Sequence, residues 1–179
     1  MKKVGVILAR FQPIHNGHLE LIQKATEEND EVIIFLGSID KLDKRNPIPW
    51  KIRYELLKES LPFKNVRIVP LRDLTDETDN SHDWGFYLFS NMIKEAPGAH
   101  YTMYYSDGYE IITSWFPWFI LNDHLDLSLL ARGARHGGIS ATAVRDFILE
   151  DNENLPGYVP ECVFNKKDLL RTYIQAFKG

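Results

Sequence analysis

The chain of 179 residues predicts an α/β fold, doubly wound around a parallel sheet of about five strands, with helices on both faces and a C-terminal helical segment. Two observations carry that prediction. Val4 to Ala9 and Glu31 to Leu36 are short, β-branched-rich apolar runs without alternation, the pattern of strands covered on both faces. Between and after such runs lie stretches whose apolar residues recur at helical spacing, and strands interleaved with helices point to parallel pairing.

In chain order, the first strand is followed by a helix with Leu19, Ile22 and Ala25 turned inward, which closes in the polar tract TEENDE before the second strand. Trp50 to Leu61 reads as a helix (Ile52, Leu56, Leu57, Ser60) and Val66 to Pro70 as a strand. The polar tract Asp73 to Asp83 reads as a mobile loop, Trp84 to Glu95 as a helix and Tyr101 to Tyr105 as a strand. After Ser114 a Trp/Phe/Pro cluster interrupts the pattern. Leu125 to Ala131 follows as a fifth strand, Ala141 to Asp151 as a helix, and Lys167 to Phe177 as a closing helix with Leu169, Leu170, Tyr173, Ile174 and Phe177 on one side.

This length and apolar content suit one domain, residues 1–179, with a single sizeable core. The net charge is -4, from 21 Lys and Arg against 25 Asp and Glu, so the basic footprint of a nucleic-acid binder is missing. Cys162, the only cysteine, excludes an intramolecular disulfide framework and a cysteine-based zinc site, and makes a reducing cytoplasm the default compartment. The apolar run after Lys2-Lys3 is shorter than the ~7–15 residues of a signal-peptide core. No stretch approaches the ~20 apolar residues of a membrane span.

In a doubly wound sheet, ligands are expected beyond the carboxyl ends of the strands, where Arg10 to His18, Gly37-Ser38 and Ser106-Asp107 fall. Neither G-x-x-x-x-G-K-[ST] nor G-x-G-x-x-G is present. The first strand-to-helix turn instead reads ARFQPIHNGHLELI: Arg10 supplies a fixed fork, Pro13 stiffens the turn, Gly17 permits close approach to the helix start, and His15 and His18 face one side as hydrogen-bond donors. A zinc pair is the minor alternative for the two histidines, without an obvious third ligand. Downstream, Ser140 reads as a helix cap, which is also where a phosphate would sit. Arg145 reads either as a phosphate ligand or as a surface partner of Asp146 or Glu150.

The first stretch resembles the H-x-G-H signature of the nucleotidylyltransferase superfamily, in the longer form GRFQPxHxGH of NadM-type nicotinamide mononucleotide adenylyltransferases, with Ala9 where glycine is usual. Ile139-Ser140-Ala141-Thr142-Ala143-Val144-Arg145 is similar to the second signature, I-S-x-T-x-x-R. The segment LGSIDKLDKRNPIPWKIRYELL resembles the strand-Gly-Ser, Asn-Pro and arginine-bearing helix of the same family, and YSDGYEIITSWFPWF resembles a later family segment, keeping Asp107 and Phe116-Pro117 but not its Gly-His and Lys.

The resemblance implies a Rossmann-like fold and adenylyl transfer from ATP to nicotinamide mononucleotide, giving NAD and pyrophosphate. It implies a catalytic set of Arg10, His15, His18 and Arg145, and ATP contacts from Phe11, Gln12, Gly17, Ile139, Ser140 and Thr142. Acceptor contacts fall to Gly37, Ser38, Asn46, Arg53, Asp107, and Trp115 or Trp118. Gly133 to Gly138 reads either as an ordinary flexible loop or, with Arg132, Arg135 and His136 standing just before the second signature, as a further phosphate contact. Such chemistry needs no general base, because a phosphate monoester is ionised near neutral pH and pyrophosphate leaves readily. Mg²⁺ is expected to be held mainly by substrate oxygens and water, with no protein metal site. The sequence leaves three alternatives: a phosphopantetheine acceptor, a polyol or amino-alcohol phosphate acceptor with CTP, or a nucleotide sensor without turnover. It also leaves open whether the chain forms a homo-oligomer.

Overall fold

The computed structural model describes residues 1–74, 81–106, 109–131 and 138–178, with the backbone alone at 109–111. Five strands form one parallel sheet: β1 (Lys3–Ala9), β2 (Glu31–Leu36), β3 (Val66–Pro70), β4 (His100–Tyr105) and β5 (Leu125–Leu129), in the spatial order β3-β2-β1-β4-β5. The register pairs Ile7 with Ile34, Ile34 with Ile68, and Val6 with both Ile33 and Met103. The order reverses beside β1, which opens a crevice at the carboxyl ends of β1 and β4.

The unalternating runs have a direct cause. Val32, Ile34 and Leu36 of β2 pack into one apolar cluster and Ile33 and Phe35 into another, so every position from Val32 to Leu36 is buried. The first cluster holds α1 (Asn16–Glu28), α2 (Trp50–Ser60) and α6 (Ala141–Glu150). The second holds α3 (His82–Glu95), α4 (Tyr109–Trp115) and α5 (Trp118–Asp123). Helices α7 (Glu161–Asn165) and α8 (Lys167–Ala176), after a short 3-10 turn at Leu155–Gly157, complete the first cluster through Val163, Leu170 and Ile174.

Four differences from the sequence reading stand out. Helices α4 and α5 occupy the Trp/Phe/Pro stretch, divided at Pro117, whose fixed φ and missing N–H suit the cap of α5. Helix α3 begins earlier than expected, because Ser81 accepts the Trp84 N–H and so draws His82 and Asp83 into its first turn; residues 75–80 of the expected mobile loop lie outside the described residues. The fifth strand stops at Leu129 rather than Ala131. Helix α7 was also unforeseen: five residues behind Pro160 are too few to show a period.

Candidate active site

The turn from β1 into α1 is shaped by two imidazoles. His15 is the N-cap of α1, and its Nδ1 accepts the Gly17 N–H at 3.0 Å and the His18 N–H at 3.3 Å. His18 returns the bond, its Nδ1 accepting the His15 N–H at 3.1 Å, so the pair builds a capping box out of histidines. The rings stack with centroids 3.7 Å apart. With both Nδ1 atoms accepting, the neutral tautomer of each ring carries its proton on Nε2, and each histidine is a defined Nε2–H donor at a helix N-terminus. Gly17 is required here, since a Cβ would come within 2.9 Å of the His15 ring.

Arginines converge on the same place. Arg10 leaves the end of β1, and its guanidinium donates to Asn46 Oδ1 at 3.3 Å. Arg145, from the second turn of α6, reaches across to donate to the Gln12 carbonyl at 2.9 Å, with Thr142 Oγ1 at 3.5 Å. Ser140 caps α6, accepting the Ala143 N–H at 3.1 Å, and a second helix N-terminus therefore faces the first. Desolvation by the cleft walls, then the charge of Arg45, lowers the Arg10 pKa; burial, then Arg10, lowers that of Arg145. Mutually opposed cations in a cleft are the electrostatic signature of a site built for an anion.

A cleft of about 410 Å³ joins these groups. Arg10, Phe11, Gln12, His15, His18, Gly37, Ser38, Trp115, Ser140, Thr142 and Arg145, all named from the sequence, line it. Some of these are held from behind, and Asn46, Ile139 and Arg53 stand behind the walls. Gln12 uses its side-chain amide on the backbone of Ile48, donating to the carbonyl at 3.3 Å and accepting the N–H at 3.0 Å. Asn46, buried, holds Arg10 from behind and is itself fixed by Asp43. Ile139 is buried in the core, beside Gly17. Arg53, expected to touch the acceptor, is instead only 1% exposed, its guanidinium engaged by backbone carbonyls beneath the cleft. Trp118 is 72% exposed and lies outside the lining, so of the two tryptophans Trp115 borders the cleft. Asp107, Arg132, Arg135 and His136 lie outside the described residues.

Sequence reasoning missed Asp73 and Trp84, which also line the cleft. Asp73 accepts the Ser38 hydroxyl at 2.9 and 3.0 Å, and Trp84 meets Trp115 edge to face at 5.9 Å. The signal was available in part: both follow β3, whose carboxyl end opens on the same crevice. Arg45, adjoining Arg10, was announced by the basic Lys44-Arg45 pair ahead of Asn46-Pro47. Among the described residues, no group of three or more His, Cys, Asp and Glu side chains gathers to hold a metal ion.

A nicotinamide-nucleotide adenylyltransferase of Thermococcus kodakarensis is 28% identical over 123 residues, a stretch covering 63% of each chain, so the present chain spans less than two thirds of that relative. A phosphopantetheine adenylyltransferase of Francisella tularensis subsp. novicida is 24% identical over 93% of this chain and 95% of its own. Among solved structures, a bifunctional NMN adenylyltransferase/ADP ribose pyrophosphatase of Francisella tularensis, complexed with AMP and a manganese ion, shares the fold. Its TM-score is 0.70 at 21% identity, covering 98% of this chain and 50% of that one. Residues 6–147, which run from the first strand through both facing helix N-termini, match the cytidylyltransferase-like family, and the chain belongs to that family.

Proposed function

We propose that the protein is an adenylyltransferase that joins ATP to nicotinamide mononucleotide, releasing pyrophosphate and NAD. The observation that carries this reading is the meeting of His15, His18, Arg10 and Arg145 with the N-termini of α1 and α6 around one cleft. A phosphate monoester attacking the α-phosphorus is already a nucleophile. The protein's task is then to align the two substrates and to neutralise charge that builds on the phosphorane, and orientation alone is worth roughly 7–11 kcal/mol. In this reading Arg10 and Arg145 grip the triphosphate, the two Nε2–H groups donate to its oxygens, and Ser140 and Thr142 hold its end at the start of α6.

The acceptor lies on the other wall. Trp84 and Trp115 form an aromatic corner beside the Asp73 carboxylate, a setting suited to a flat cationic ring such as nicotinamide. The named activity of the Thermococcus relative supports the same acceptor. Mg²⁺ arrives on the triphosphate, held by phosphate oxygens and water. The cleft's single described carboxylate, already accepting Ser38, fits a substrate-borne cation rather than a protein cage. The cytoplasm, where ATP is abundant, is the proposed compartment. Among the described residues, no helix is long and apolar enough to cross a membrane.

The full-length alignment with a phosphopantetheine adenylyltransferase favours one second reading, an acceptor with a pantetheine arm. The deciding experiment incubates the protein with each nucleoside triphosphate and Mg²⁺ against a panel of phosphate monoesters and scores pyrophosphate. Release with ATP and nicotinamide mononucleotide is expected. Release with phosphopantetheine alone replaces the acceptor, a preference for CTP with a polyol phosphate replaces the class, and binding without release makes the protein a sensor.

A further inference from the structure

Arg53 is the most deeply buried cation among the described residues, and its guanidinium is held by backbone carbonyls. Its Nε donates to the Ile48 carbonyl at 2.9 Å, Nη1 to the Arg10 carbonyl at 2.5 Å and the Gly37 carbonyl at 3.0 Å, and Nη2 to the Ser38 carbonyl at 3.1 Å. Burial, then the charge of Arg10, brings its pKa down to about 10, so it remains a cation at neutral pH.

The four carbonyls are not a random selection. Phe11 and Ser38, the residues just beyond the ends of β1 and β2, have φ of 52° and 54°, a left-handed backbone that costs a side-chain-bearing residue of order 1–3 kcal/mol. The Arg10 carbonyl belongs to the peptide that enters Phe11, and the Gly37 and Ser38 carbonyls belong to the two peptides that flank Ser38. One planar fork therefore holds both left-handed turns, and through Ile48 it ties them to the segment leading into α2. Those turns set where the Arg10 fork and the Ser38 hydroxyl enter the cleft.

We propose that Arg53 is a positioning residue for phosphoryl chemistry: it touches no substrate, and by fastening the ends of β1 and β2 it fixes the directions of Arg10 and Ser38. The proposal rests on the adenylyltransferase reading for its kinetic consequence and on the backbone alone for its structural one.

The test uses Arg53→Lys and Arg53→Ala in the full chain, with amide hydrogen exchange, steady-state kinetics and added guanidinium. A lysine keeps the charge but reaches fewer of the carbonyls from a single point. Faster exchange confined to residues 10–12 and 37–39 is expected in both folded variants, whether or not the protein turns over. With ATP and nicotinamide mononucleotide as substrates, kcat is expected to fall roughly 100-fold in Arg53→Ala with KM for ATP changed far less, the cost of about an ångström of misplacement. Millimolar guanidinium, which fits the vacated carbonyl cradle, is expected to recover part of that kcat, and methylammonium is not. Unchanged exchange in the two turns, a kcat within threefold of wild type, or failure of both variants to fold overturns the proposal. If the wild-type protein releases no pyrophosphate, the functional reading fails, and the exchange data alone decide the role of Arg53.

Discussion

His18 has two separable duties, because its Nδ1 caps the His15 N–H while its ring also lines the cleft. His18→Gln keeps an acceptor at the capping-box position, so the melting temperature is expected to stay within a few degrees of wild type. The aimed imidazole donor is lost, and kcat is expected to fall by roughly 10²–10³, the scale of one transition-state donor. A thermal melt and steady-state kinetics on that variant check both halves. Arg145 poses a similar question, and its guanidinium answers part of it by bonding the Gln12 carbonyl rather than a surface carboxylate. Arg145→Lys retains the charge and loses the planar fork. A fall in kcat/KM of at least tenfold is expected, against a stability loss of about 1 kcal/mol for one hydrogen bond. Wild-type kcat/KM in the lysine protein would return Arg145 to an ornamental role on the helix.

At the scale of elements, the Trp84–Trp115 wall of the cleft, where the proposed acceptor would bind, depends on how closely α3 approaches α4. A Cβ at Gly85 would collide with the Trp115 backbone carbonyl, and backbone cannot rotate aside as a side chain can. Alanine gains up to about 1 kcal/mol of helix propensity over glycine, while overpacking a tight contact costs about 1–3 kcal/mol. The collision is expected to win. Gly85→Ala should lower the melting temperature by several degrees and raise KM for the acceptor more than KM for ATP, because Trp115 shifts while the α6 terminus does not. Equal effects on the two KM values would detach Trp115 from the acceptor. The αL residue Asp151 closes α6 and bonds Lys167 and Arg171 of α8, so the helix whose N-terminus lines the cleft is braced at its far end by the C-terminal one.

For the molecule as a whole, the site joins segments far apart in sequence: the β1 and β2 ends, the residues after β3, and the start of α6. A ligand that spans them binds only the folded chain. At a hundred times its dissociation constant, a non-hydrolysable ATP analogue contributes about 2.7 kcal/mol, and a chain of this size gains roughly 2–4 °C per kcal/mol. A rise of roughly 5–11 °C is expected by differential scanning calorimetry, reduced to near zero when Arg10 and Arg145 are both replaced by glutamine. An undiminished rise in that double variant would place the triphosphate elsewhere.

The sequence by itself determined the sheet and most of its helices, because buried parallel strands need unbroken apolar runs and amphipathic helices need a period, and both are local patterns in Val4 to Ala9, Glu31 to Leu36 and the helices that follow. It also determined the turn from β1 into α1 that lines the cleft, since Arg10, His15 and His18 sit within nine residues of one another. Helices α4, α5 and α7 escaped it because each is shorter than two full turns, too short for a period to declare itself. Only the tertiary structure decided that Asp73 and Trp84 face the cleft, that Trp115 rather than Trp118 borders it, and that Arg53 is turned inward onto four carbonyls. The reason is physical: which side of an aromatic or an arginine meets solvent depends on what packs against it, and that neighbour is supplied by strands and helices distant in the chain.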